Sequence, residues 1–283
     1  IRGYLTKALY KQFYLSTEEK ELTKRGDIYI HDLRDMILGS VNCCLFDIGT
    51  VLKGGFEMSN TTYTEPNSVL SALQVIGDVT LIATAQQFGG FTLAELDKVL
   101  LPYCKKTMKT ARELYKKYSL DDTQCENFVW ETLTRELTQG FQSMELKVNT
   151  IPCSRGDFAF TTITFGQFDW EHLSAEDRNI LCLIDTIMLD TRMKGHGGKQ
   201  VVFPKLVYLF DEEQVNNDLY SKQIYNKAIE CSSKCMYPDW LSLRGDPEHN
   251  VVADTFINHG AITSPMGCRA YLTPWADPDT GKY

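Results

Sequence analysis

The chain has no two cysteines spaced as C-x-x-C, although it carries nine cysteines, and its five histidines are scattered. That pattern excludes a zinc finger or a zinc ribbon. Long apolar runs are missing too. Nothing in the sequence is apolar over a length that would span a bilayer, and no secretory leader is recognisable, so no membrane partner is expected. Positive charge is in deficit, with 29 Lys and Arg against 37 Asp and Glu and a net charge of −8, which argues against a general nucleic-acid binder. There are no internal repeats and no low-complexity linkers. The Gly-rich turns Gly54-Gly55, Gly89-Gly90 and Gly195-His196-Gly197-Gly198 match neither a P-loop nor a dinucleotide fingerprint, and their expected use is in caps and turns.

What remains is an ordinary globular composition, 43% hydrophobic and 23% charged over 283 residues, enough for a sizeable core. An odd number of irregularly spaced cysteines is expected to be a set of reduced thiols in the cytoplasm rather than a disulfide framework. Cys104, Cys125 and Cys182 fall within helical patterns and are expected to pack; Cys153 sits in a turn with no evident role. Cys231 and Cys235, at i,i+4, share one helix face and resemble the start of a radical-SAM iron–sulfur motif. The third cysteine of that motif would fall at 238, which is Pro, so two packing thiols are the expected reading.

Hydrophobic periodicity predicts strands at 28–30, 42–47, 158–165 and 201–210, the last with Pro204 at a bulge or edge. It predicts helices over 1–25 in two pieces, 67–87, 93–118, 121–148, 175–193 and 219–234. Strands separated by long helices imply an α/β fold on a mostly parallel sheet or barrel.

Two cysteine sites stand apart. Cys268 lies in Ile262-Thr263-Ser264-Pro265-Met266-Gly267-Cys268-Arg269, bracketed by Pro and Gly so that regular structure cannot hold it, and a turn-tip thiol is placed for chemistry. Cys43 and Cys44 are adjacent on a strand, so they face opposite sides and at most one can face a given pocket. Asn42 beside them needs a partner if buried. His31-Asp32 follows a short β-rich run, where His31 is either a ligand-binding group or a satisfied structural histidine.

These segments, with Leu52–Phe56, Gln86-Gln87-Phe88-Gly89-Gly90-Phe91-Thr92, Gly140-Phe141-Gln142, Phe203–Val207 and Met236–Asp239, occur in one order. Ending in the P-M-G-C-R loop, the set resembles the catalytic subunit of anaerobic, class III ribonucleoside-triphosphate reductases, members of the glycyl-radical enzymes. The resemblance implies an α/β fold, about the first half of a ten-stranded glycyl-radical barrel, with a finger loop around 262–272, in a single partial catalytic domain over 1–283. It implies that Cys268 becomes a thiyl radical that abstracts the C3′ hydrogen of a ribonucleoside triphosphate. Cys43 would be the second active-site cysteine, preferred over Cys44 because it directly follows Asn42. Met266 would mark a member that uses formate as reductant, and His31, Asn42 and Ser264 would touch substrate.

The same resemblance implies a homodimer, ATP and dNTP effectors, and a radical-SAM activating enzyme that brings S-adenosylmethionine and an iron–sulfur cluster. The family's glycyl-radical segment, four-cysteine zinc site and N-terminal ATP cone have no counterpart in the chain. The expectation is therefore a partial catalytic subunit, inactive by itself. The alternatives left open are a catalytically silent nucleotide-binding fragment or relic, and another glycyl-radical lyase, against which P-M-G-C-R counts.

Overall fold

The computed structural model describes residues 2–30, 33, 42–58, 60–87, 89–118, 124–152, 158–267 and 270–272. Two short helices come first, α1 (Arg2–Phe13) and α2 (Thr17–Arg25). Helix α2 starts at a reciprocal Ser16–Glu19 capping box and stops at Gly26 in the left-handed conformation, as Ser16-Thr17-Glu18-Glu19 implies.

The centre is a five-stranded sheet in the order β1-β4-β5-β6-β7: β1 (Cys44–Phe46), β4 (Phe91–Leu93), β5 (Thr161–Phe165), β6 (Lys205–Phe210) and β7 (Asp239–Ser242). Every neighbouring pair is parallel. Long helices connect them: α4 (Val69–Thr84), α5 (Leu96–Tyr118), α6 (Cys125–Thr150), α7 (Ala175–Lys194) and α9 (Leu219–Cys235). Ser68, Ser174 and Asp218 cap α4, α7 and α9 by accepting backbone N–H bonds. Five parallel strands are half the number in the barrel that the resemblance implies.

The register sorts the sheet into two faces. Phe91 pairs with Cys44, Leu93 with Phe46 and Ile163, Ile163 with Leu206, and Tyr208 with Phe165 and Trp240. These residues form the face packed by the helices, where Leu73, Leu100, Leu137, Phe141, Leu181 and Ile224 join one buried core. Thr92, Thr162, Thr164 and Val207 line the opposite face. That second face receives a two-stranded antiparallel hairpin, β8 (Ser264–Met266) with β9 (Ala270–Leu272).

Several elements differ from the sequence-based expectation. Residues 28–30 form no strand. Phe91–Leu93, where no strand is expected and a helix is expected to start at Leu93, is a three-residue strand buried on both faces, too short to show alternation. The strand β7, largely exposed, and the short helices α3 (Ile48–Leu52), α8 (Glu212–Asn217) and α10 (Val251–His259) are similarly too short or too polar to carry a period. So is the small hairpin of β2 (Phe56–Met58) and β3 (Thr61–Tyr63). Pro204 precedes β6 rather than lying in it, and the Phe203–Pro204 and Tyr237–Pro238 peptides are both cis.

Candidate active site

The site forms where β1, β4 and the hairpin meet. Strand alternation separates the adjacent cysteines. Cys44 pairs with Phe91 on the helix face, and its thiol donates to Gln87 Oε1 at 3.1 Å. Burial, then the neighbouring Cys43, push the Cys44 thiol up, against the Gln87 hydrogen bond, so it is held protonated. It borders an open cleft of about 390 Å³ between the sheet and α4, lined by Phe46, Val79, Ile82 and Phe91 among others.

Cys43 lies on the other side. Its sulfur accepts the Gly90 N–H at 3.1 Å and has a long contact of 3.7 Å with Asn42 Oδ1. Across from it stands Gly267, the last described residue of the hairpin before Cys268. A Cβ built on Gly267 would lie 2.6 Å from Cys43 Sγ, and Gly267 has φ +68, so both approach and backbone require glycine there. A Cβ on Gly90 would come within 2.6 Å of Gly267 Cα, and one on Gly89 would overlap the Cys43 sulfur. Three glycines thus bring two backbone segments into contact with one thiol.

The hairpin is fastened by a side chain of the sheet. Thr92, fully buried, donates from Oγ1 to the Pro265 carbonyl at 2.8 Å. Met266 precedes Gly267 and pairs with Ala270, and Ser264, buried, pairs with Leu272 at the far end of the hairpin. The structure therefore brings Asn42, Cys43 and the Ser264–Gly267 strand to one corner. Cys268 and His31 lie outside the described residues, as does Cys153.

The sequence reading missed Gln87 and Thr92, and took Gly89-Gly90 for a turn. The signal was present in the order helix end, Gln, Gly-Gly, β-rich Phe-Thr-Leu, but nothing in a single sequence shows which thiol the glycines approach.

Other thiols serve packing. Cys104, Cys125, Cys182, Cys231 and Cys235 are all buried and free. Among the described residues, the one group with ligand atoms close enough to share a metal ion is Asp246, Glu248 and His249, all exposed. Among the same residues, no helix is long and apolar enough to cross a membrane.

The family described as anaerobic ribonucleoside-triphosphate reductase matches residues 1–282. The anaerobic ribonucleoside-triphosphate reductase of enterobacteria phage T4 is 34% identical over 98% of this chain and 43% of its own length. That of Escherichia coli is 30% identical over 97% of this chain and 36% of its own. The chain thus spans less than half the length of these relatives. Among solved structures, the anaerobic ribonucleotide reductase from Thermotoga maritima with glycerol in the active site superposes with a TM-score of 0.59 at 13% identity, covering 87% of this chain and 40% of that one. A parallel half-barrel carrying a glycine-tipped hairpin against a strand-end cysteine, matched by this family from its first residue almost to its last, places the chain in the anaerobic ribonucleoside-triphosphate reductase family.

Proposed function

We propose that this chain supplies the hydrogen-transfer corner of an enzyme that reduces ribonucleoside triphosphates to 2′-deoxyribonucleoside triphosphates by radical chemistry under anaerobic conditions. The observation that carries the reading is the approach of the Gly267 backbone to the Cys43 sulfur. It sets the residue before Cys268 beside a second thiol, which suits one sulfur taking a hydrogen atom from ribose and another giving one back.

In this reading Cys268 is the thiyl site. Its sulfur takes the C3′ hydrogen, forming S–H and leaving the radical on the sugar. The 2′-hydroxyl then departs as water after protonation. Cys43 gives a hydrogen atom to the other face of the ribose and becomes a thiyl that formate re-reduces. The second electron of formate, with a proton, turns the C3′ carbonyl into a C3′ radical. Cys268 then returns its hydrogen to C3′, restoring its own thiyl. Met266, one residue before Gly267, is the thioether beside this chemistry, and formate is the proposed reductant, leaving as carbon dioxide as it supplies two electrons. Asn42 and Ser264 stand at the edges of the same corner and are the proposed substrate contacts, with His31.

A glycyl radical elsewhere in the working enzyme would supply the unpaired electron to Cys268, installed by a radical-SAM activating enzyme. A homodimer, ATP and dNTP effectors, a zinc site remote from these residues and a cytoplasmic location belong to the same proposal, supported by family membership.

The test is Cys268→Ala in the full-length enzyme, assayed anaerobically for deoxynucleotide formation. Turnover is expected to vanish while the unfolding midpoint stays that of the parent. Retained turnover in a folded Cys268→Ala enzyme would sink the assignment.

A further inference from the structure

The pairing of β1 with β4 starts with an irregularity. Cys44 N–H donates to the Gly90 carbonyl at 3.0 Å. In a regular parallel ladder, the Gly90 N–H would then bond to the Asn42 carbonyl. Instead that carbonyl takes the N–H of Gly89, and the Gly90 N–H turns to Cys43 Sγ at 3.1 Å. Two successive N–H groups face one stretch of β1, a bulge of the kind that re-aims a side chain beside a reacting centre.

Gln87 is what holds the bulge. It is buried, 6% exposed, just beyond the end of α4. Its Nε2 lies 3.3 Å from the Gly89 carbonyl and 3.0 Å from the Gly90 carbonyl. Carbonyl oxygens only accept, so the amide nitrogen must face them, and Oε1 is left facing the Cys44 thiol. One side chain therefore ties both bulge residues to the opposite face of the strand that carries Cys43. No hydrogen bond links Gln87 to Cys43 itself.

We propose that Gln87 is a positioning residue for Cys43: by clamping the Gly89 and Gly90 carbonyls it keeps the Gly90 N–H on the Cys43 sulfur and the thiol turned toward the hairpin tip. The N–H occupies a sulfur lone pair, and the S–H is directed to Asn42 Oδ1 at 3.7 Å, at the edge of the corner. Cys44 is the anchor, a protonated thiol donating to the back of the clamp. Without the amide donors, Gly90 N–H is free to return to the Asn42 carbonyl, and Cys43 loses its fixed direction. This inference rests on the reading of Cys43 as a hydrogen donor only for its effect on turnover; the geometric effect on Cys43 does not depend on it.

The experiment uses Gln87→Met in the full-length enzyme, since methionine fills the same space without donors, with Gln87→Glu as a second variant should the first fail to fold. The first readout needs no turnover: the rate of Cys43 alkylation by iodoacetamide, followed by peptide mass spectrometry in the unactivated protein. Without that N–H donor to the attacking sulfur, the rate is expected to fall about threefold or more. The second readout is kinetic. A thiol that has lost its orientation is expected to lower kcat by about 10- to 100-fold, with KM held within about twofold because substrate binding is untouched. Cys44→Ser, which keeps a donor toward Oε1, is expected to lose less than Cys44→Ala.

Unchanged Cys43 alkylation and unchanged kcat in a folded Gln87 variant would overturn the proposal. A rise in KM at constant kcat would overturn it as well, since that is the mark of lost binding rather than lost orientation. If the parent enzyme forms no deoxynucleotide, the functional reading falls, and the alkylation rates still decide whether Gln87 positions Cys43.

Discussion

Two cysteine pairs in this chain have been given opposite surroundings. On α9, Cys231 and Cys235 stand one turn apart and face α7, where their thiols lie against the carbonyls of Leu189 and Arg192 at 3.8 and 3.7 Å. Burial, the first cause, pushes the Cys231 thiol up to about 12. On β1, adjacent Cys43 and Cys44 are divided by the strand, one bound behind to Gln87, the other set before a glycine turn. Spacing tells which side a thiol faces. What makes a thiol available is whether a second segment is built to approach it, and at Cys43 that segment is glycine at 89, 90 and 267.

The sharpest way to break this contrast is to remove one sulfur from each pair in the full-length enzyme. Cys43→Ala is expected to lower turnover by about 10³-fold or more, as for loss of a group that acts as part of a unit. The cost in stability should be small, because Cys43 is only partly buried. Cys231→Ala is expected to leave turnover per folded molecule unchanged. An equal loss of turnover in both, measured on samples of matched folded fraction, would end the distinction.

A second effect tests the claim that the α7–α9 side is structural. Arg192 is fully buried and donates to Glu145 Oε1 at 3.0 Å and to the Pro204 carbonyl at 2.5 Å, with its guanidinium over the Tyr237 ring at 5.1 Å. His196 Nε2 meets the other Glu145 oxygen at 3.2 Å. Arg192→Met would leave a buried carboxylate without its main partner and is expected to cost about 3–5 kcal/mol in unfolding free energy. The double variant with Glu145→Gln should recover part of that loss. Full additivity of the two losses would show that the pair is not coupled.

Most of the scaffold was legible because long amphipathic helices announce themselves. The reading of 67–87, 175–193 and 219–234 as helices lands on α4, α7 and α9, with Ser68, Ser174 and Asp218 as caps. The three- and four-residue strands were less so: Phe91–Leu93 and Asp239–Ser242 are too short for a period, and parallel pairing needs no alternation. At the site, alternation alone divided Cys43 from Cys44. Which of them meets the hairpin depends on the bulge at Gly89-Gly90, a long-range fact of pairing between segments about 45 residues apart. The clamp of Gln87 and the Thr92 bond to Pro265 are of the same kind, polar contacts with no local signature.

Helix α7 also carries a pH signature. Both Asp185 oxygens and the Tyr208 hydroxyl are buried without hydrogen-bond partners among the described residues. Burial, then the charge of Asp97, hold Asp185 well above the carboxylate range. Asp97 itself is pushed up from 3.8 to about 6 by burial, against the Gly166 and Lys98 backbone N–H groups. The native state thus binds these protons more tightly than the unfolded chain. Its stability from this source is present below the unfolded value and falls as pH rises through about 6, by on the order of 3 kcal/mol for Asp97 alone. Asp185→Asn removes that residue's own tightly held proton and is expected to flatten the part of the fall that Asp185 contributes. The variant should gain stability over the parent at pH 8 and little at pH 4.5 in denaturant unfolding. A difference independent of pH would refute this account of the pair.

The smallest expected effect sharpens the comparison from the packing side. If Cys231 and Cys235 only fill space between α7 and α9, Cys231→Ala should cost about 1–2 kcal/mol, the transfer and cavity loss of one small apolar group. Cys235→Ala should cost less, because Cys235 is 5% exposed where Cys231 is fully buried. The two losses should be less than additive, since the thiols share the groove against Leu189 and Arg192. Replacement by Ser in place of Ala should be worse at Cys231, where the Leu189 carbonyl stands at 3.8 Å, beyond normal hydroxyl hydrogen-bonding distance. Denaturant midpoints of the full-length variants decide this. A Ser variant more stable than Ala at 231 would mean that the pocket is polar, and that these thiols are held for something other than packing.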